Sequence, residues 1–272
     1  MSQVILVTSF KGGVGKTTLS ANLAACYAKQ GKRVLVCDCD LESRCLDMVL
    51  GMEEQPLFNI CDAVGGLCAP EDAIREHERI KNLFFMPAPA FYPEAQGLRP
   101  TDEIFTTEAV DRFVKALTDS YDRILFDLPA RPDNLYRYLV PCADKIVIVS
   151  MHTAVSIRAA EKTAIALREL CPNKAHPDLK LAVNAFDAKR ASEKDAVGLY
   201  DILNKAKLPL VGVIPRDVRM VSACEKGLLA CEAGGVVLPF WRAVENTARR
   251  LDGGNVKLLE GVRTGVARSK LY

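Results

Sequence analysis

Eight consecutive residues, Lys11, Gly12, Gly13, Val14, Gly15, Lys16, Thr17 and Thr18, constrain this chain more than any other stretch. They follow an apolar run over residues 4–7, which reads as a buried strand, and precede residues 19–25 (LSANLAA), which read as an opening helix. Strand, glycine-rich turn and helix form the context that a phosphate-binding loop requires. The glycines let backbone N–H groups close around a polyphosphate, and the helix N-terminus adds the positive end of its dipole. In such a loop Lys16 reaches the β- and γ-phosphates and the Thr17 hydroxyl holds Mg²⁺. Taken from Phe10, the stretch fits G-x-x-x-x-G-K-[ST] except at its first position, which is Phe rather than Gly.

The octet resembles the deviant Walker A loop of the MinD/ParA family of ATPases, whose signature lysine is matched by Lys11. Beyond it, apolar strands are expected at 33–38, 83–87, 121–127, 145–150, 179–184 and 208–215. Between them, apolar spacing predicts helices over 107–118, 153–170 and 192–207. Short helical pieces such as 71–79 are expected in a looser region over 56–82, where His77 sits among charges and reads as part of a solvated face. Residues 88–100 are proline-rich and read as a surface loop. Strands alternating with helices imply one α/β domain, a P-loop NTPase with a mostly parallel twisted sheet and helices on both faces. It should span 1–252, followed by a tail over 253–272.

Acids recur at strand ends, the carboxyl edge where open α/β sheets bind ligands. Asp38 and Asp40 close the second strand and Asp127 closes the 121–127 strand. Carboxylates there suit contact with a nucleotide-bound Mg²⁺ and orientation of an attacking water. The resemblance makes residues around Asp40 a first switch tied to hydrolysis, and makes Asp127 the Walker B carboxylate. Thr17, Asp38 and Asp127 are thus the expected metal residues, and Lys11, Lys16 and Asp40 the expected catalytic ones. Residues 43–51 look like the MinD branch, except that Cys45 stands where Asn is usual; Arg131 replaces the usual glycine of the second switch, 128–132. Asn184, at a strand end, can offer both donor and acceptor to a base edge. Residues 208–217 resemble the last MinD strand, so Pro215, Arg216 and Asp217 join Asn184 as expected base contacts. Adenine is favoured over guanine, because the guanine-reading N-K-x-D is absent: Ala185 follows Asn184.

The resemblance implies that two subunits enclose two ATP molecules, with Lys11 reaching the partner's nucleotide, and that an activating protein accelerates slow hydrolysis. It also implies a spatial regulator of cell division. Ser156, Arg158 and Glu161 are expected to be exposed on a partner-binding face. Two rival outputs are a ParA-type DNA-partition or cargo-positioning ATPase and a metallocentre-maturation ATPase using Cys37 and Cys39. Lys plus Arg number 36 against 34 Asp plus Glu, which argues against a strongly basic DNA binder. Cys37 and Cys39 overlap a strand end and read as core. Residues 1–3 lead straight into a strand, and no apolar run reaches the roughly 18 residues of a spanning helix, so a cytoplasmic protein with reduced thiols is expected. In the tail, Leu258, Leu259, Val262 and Val266 share one helical face beside Lys257, Arg263, Arg268 and Lys270. That segment reads either as a weak anchor to an anionic membrane surface or as a docked or frayed terminus.

Overall fold

The structure, a computed structural model, describes residues 2–54, 56–90, 104–132, 134–171, 177–188, 190–192, 199–233 and 238–258. The strands are β1 (Gln3–Thr8), β2 (Val34–Asp38), β3 (Arg75–Glu76), β4 (Leu83–Met86), β5 (Arg123–Asp127), β6 (Lys145–Met151), β7 (Asp178–Phe186) and β8 (Leu210–Pro215). They form one sheet in the order β3-β4-β2-β5-β1-β6-β7-β8, parallel except for the β3–β4 pair. From β1 the chain builds outward through β2 and β4, returns through β5, and continues on the opposite side of β1 through β6 to β8. The order therefore reverses around β1, and a ligand crevice forms at the carboxyl end of the strands beside such a reversal.

Alternation along each strand divides the core in two. Leu6, Leu35, Phe126, Ile146 and Ile148 face one layer. That layer holds α4 (Thr107–Ser120), α5 (Asn134–Leu139) and α6 (Ala154–Glu169). Ile5, Val7, Val36, Leu125, Val147 and Val149 face the other. This second layer holds α1 (Lys16–Lys29), α8 (Val218–Glu225) and α9 (Leu238–Leu251). Burial on both faces is why the strands read as unbroken apolar runs. The remaining helices are α2 (Leu46–Leu50), α3 (Ile60–Gly65) and α7 (Leu199–Ala206). Val110, Phe113, Val114 and Leu117 form the buried stripe expected of α4, and the Thr106 hydroxyl caps it by accepting from the Ala109 amide.

Two expectations need correction. Residues 71–79 do not form a helix: a 3-10 turn, Pro70–Ala73, leads into β3, which runs antiparallel to β4. His77 is buried rather than solvated, because the β3–β4 turn folds it inward. Its Nδ1 accepts from the Arg79 and Ile80 amides at 3.1 Å each, so Nε2 carries the proton and donates to the Leu50 carbonyl at 3.0 Å. Residues 91–100 of the expected loop, 193–198 of the expected 192–207 helix, and 259–272 of the tail lie outside the described residues.

Candidate functional site

The glycine-rich loop joins β1 to α1 at the sheet's carboxyl edge. Gly13 has φ 70° and Gly15 φ 88°, both in the left-handed region that side chains with a Cβ disfavour. Gly15 is also the residue capping α1, and a Cβ there would lie 2.1 Å from Asn184 Nδ2. That nitrogen donates to the Val14 carbonyl at 2.8 Å and so pins the loop to β7. Asn184 lies within β7, which continues to Phe186, rather than at its end. Lys16 and Thr17 open α1, where the first-turn N–H groups have no intrahelical partner and form an anion site.

The acids meet this loop from the strands. Asp127 pairs in register with Val7 on one side and with Asp38 on the other, so β1, β5 and β2 deliver them to one level. Burial pushes the Asp127 carboxyl up to about 6, against the pull of the Thr17 and Ser20 hydroxyls and the Lys16 charge. Ser20 Oγ donates to Asp127 at 2.7 Å. Sequence reading missed Ser20; the available signal was its position one helical turn beyond Lys16 and Thr17. Burial, then the neighbouring Asp127, pushes Asp38 up to about 8. Asp38 accepts from the Asp40 amide at 3.0 Å and the Leu46 amide at 3.1 Å, which shapes the loop that follows. Asp40 is half-buried and accepts from the Ser43 amide at 3.0 Å. Cys45 is exposed, with its thiol 3.2 Å from the Ser43 carbonyl. Arg44, at φ 42°, pairs with Asp47 at 2.9 Å.

The donor set fits Mg²⁺. Two buried carboxyls beside a hydroxyl are hard oxygen ligands, and their raised protonation is the penalty that a divalent cation relieves. Among the described residues no group of three or more His, Cys, Asp and Glu converges on one point. Cys37 and Cys39 are fully buried, and burial drives the Cys37 thiol well up, away from the thiolate a metal needs.

Lys11 Nζ donates to Ser156 Oγ at 2.8 Å. The Ser156 hydroxyl also accepts from Thr153 Oγ1 at 2.9 Å. Ser156 is therefore buried, against expectation, because it turns inward at the start of α6, whereas Arg158 and Glu161 are exposed. At 128–132, the expected second switch, Pro129 is buried and Arg131 exposed. A cavity of about 420 Å³ is lined by Thr18, Asn184, Pro215, Arg216, Met220 and Phe240, among others. Asp217 also borders it, but its carboxylate caps α8 and pairs with Arg219 at 2.5 Å, which holds it below the usual carboxylate range.

Residues 5–230 match the model of the CobQ/CobB/MinD/ParA nucleotide binding domain. The septum site-determining protein MinD of Synechocystis sp. is 32% identical over 260 residues, covering 96% of this chain and 93% of that protein. MinD of Thermotoga maritima is also 32% identical, covering 95% and 91%. Among solved structures, the MinC:MinD cell division protein complex of Aquifex aeolicus superposes with a TM-score of 0.81 at 30% identity, covering 94% of this chain and 98% of that one.

Proposed function

This chain belongs to the CobQ/CobB/MinD/ParA family of nucleotide-binding proteins, and from that premise we propose that it is a MinD-like ATPase hydrolysing ATP to ADP and phosphate. The observation that carries the reading is the meeting of the Lys11–Thr18 loop with Asp38 and Asp127 at one sheet edge.

In this reading the left-handed Gly13 and Gly15 turn loop amides toward the phosphates. Lys16 holds the β- and γ-phosphates. The Thr17 hydroxyl and Asp127, with Asp38 beside them, would hold Mg²⁺, whose positive charge would offset that of the phosphates. Asp40 orients the attacking water. Lys11 serves the nucleotide of a second subunit, where a delivered cation offsets charge on the γ-oxygens, as an arginine finger does. The cavity beside Thr18 takes the adenine, with Asn184, Pro215 and Arg216 around it.

The cellular role follows from the relatives. Their names support a part in division-site placement; we further propose that the chain acts as an ATP-dependent homodimer and meets an activating protein. Among the described residues no helix is long and apolar enough to cross a membrane. The apolar positions Leu258, Leu259, Val262 and Val266 beside Lys257, Arg263, Arg268 and Lys270 support the proposal that residues 253–272 attach the dimer to an anionic membrane surface from the cytoplasmic side.

Phosphate release from purified protein tests the core of this reading. Turnover should require Mg²⁺ and ATP, and Lys16→Ala should abolish it. Turnover that persists in Lys16→Ala refutes the reading. Flotation with anionic vesicles tests the tail, since binding should appear with ATP and vanish when 253–272 are removed.

A further inference from the structure

The loop's departure at Phe10 has a partner. The Phe10 ring packs edge-on against Tyr136 of α5, with centroids 5.7 Å apart and planes at 76°. Tyr136 is only 1% exposed, so its hydroxyl must be satisfied inside the protein. It donates to the Pro129 carbonyl at 2.5 Å. Its oxygen also lies 2.5 Å from Thr8 Oγ1. Because the carbonyl takes the phenol proton, the Thr8 hydroxyl is the donor in the second contact.

These contacts join the two halves of the site. Thr8 is the last residue of β1, immediately before the glycine-rich loop; Pro129 follows Asp127 by two residues. The backbone already links them in part, since the Leu128 amide donates to the Val7 carbonyl at 3.0 Å. Phe10 is anchored in turn, its amide donating to Thr163 Oγ1 at 3.2 Å on α6. A trans peptide is planar, with C=O and N–H pointing in opposite directions. Tying the Pro129 carbonyl to a buried phenol therefore directs the Ala130 N–H away from that phenol.

We propose that Tyr136, shielded by Phe10, is a positioning residue for phosphoryl transfer. It clamps the Pro129–Ala130 peptide to the base of the phosphate loop, so that the second switch presents one fixed N–H. The clamp takes over a task at a switch where Arg131-Pro132 replaces a mobile glycine. Position 131 precedes a proline and is biased toward extended backbone, so the chain itself offers little turning freedom there. This inference rests on the ATPase reading.

Tyr136→Phe removes the hydroxyl and keeps the ring contact with Phe10. With saturating Mg-ATP, kcat should fall about tenfold, the scale of one well-placed hydrogen bond. KM for ATP should hold within about twofold, because ground-state binding does not use the clamp. In parallel, hydrogen exchange of peptides over 128–135 should speed up, while peptides of β5 and β6 stay protected. An unchanged kcat overturns the proposal, as does a kcat loss that only accompanies a loss of nucleotide affinity. If Tyr136→Phe does not fold, Thr8→Val reads the same clamp: a smaller fall in kcat at constant KM is expected, and an unchanged kcat refutes it. Wild-type protein without Mg²⁺-dependent turnover would refute the ATPase reading instead. Exchange over 128–135 would still test the clamp, since equal exchange in wild type and Tyr136→Phe overturns it.

Discussion

Asp38 and Asp127 stand opposite each other at the ends of neighbouring parallel strands, and both carboxyls are buried. Burial pushes Asp127 up to about 6; burial and then Asp127 itself push Asp38 up to about 8. The folded state thus holds protons that the unfolded chain has released above its ordinary value of 3.8. A native state that binds more protons loses stability as pH rises. Without nucleotide and with metal chelated, this pair should lower stability as pH climbs from about 4 to about 8, by at most about 1.4 kcal/mol per pH unit for each carboxyl, and so most steeply below about 6, where both still hold protons. The two groups titrate as a pair. Asp38→Asn should flatten that part of the profile, read as the difference between wild-type and variant denaturation midpoints. Equal profiles would contradict the predicted coupling. Mg²⁺ with nucleotide should restore stability most at the upper end of the window, where the metal no longer competes with protons.

Lys11 is held by Ser156 of its own chain, so reaching a neighbouring subunit requires that contact to break. Ser156→Ala should tighten dimerisation with a slowly hydrolysed ATP analogue by a few-fold to about tenfold. Lys11→Ala should abolish the dimer while nucleotide still binds. Sedimentation velocity measures both. A Lys11→Ala protein that dimerises like wild type would exclude the role across the interface.

Gly15 combines a left-handed backbone with a Cβ position already filled by the Asn184 amide. Gly15→Ala should weaken ATP binding by about fivefold to about a hundredfold, since strain of roughly 1–3 kcal/mol falls on the loop proposed to grip phosphate. Asn184→Ala combined with Gly15→Ala should recover only part of the loss, because the φ of 88° persists. Titration calorimetry gives the affinities, and full recovery would assign the whole cost to the clash.

Burial lowers the affinity of His77 for a second proton, and both its ring nitrogens are engaged. The unfolded chain therefore takes up that proton first as pH falls below about 6.5, and stability is lost in that direction. His77→Ala should cost about 1–3 kcal/mol at pH 7, because it leaves the Leu50 carbonyl and two amides without this partner. The variant should also lose less stability than wild type between pH 7 and 5, as followed by urea denaturation.

The nucleotide loop, the strand ends carrying Asp38 and Asp127, and the helix over Thr107–Ser120 were legible in the chain because each is written in contiguous residues. A strand's apolar run, a helix's repeat and a glycine turn are local consequences of backbone geometry. His77 was misread because its charged neighbours say nothing about which way a short turn folds. Only the tertiary structure decided that Ser20 meets Asp127, that Ser156 holds Lys11, that Asn184 fastens Val14, and that Tyr136 joins Thr8 to Pro129. Except for Tyr136 with Pro129, these partners lie more than a hundred residues apart in the chain. Their meeting depends on the order of strands in the sheet, and no period of side chains along a single segment records that order.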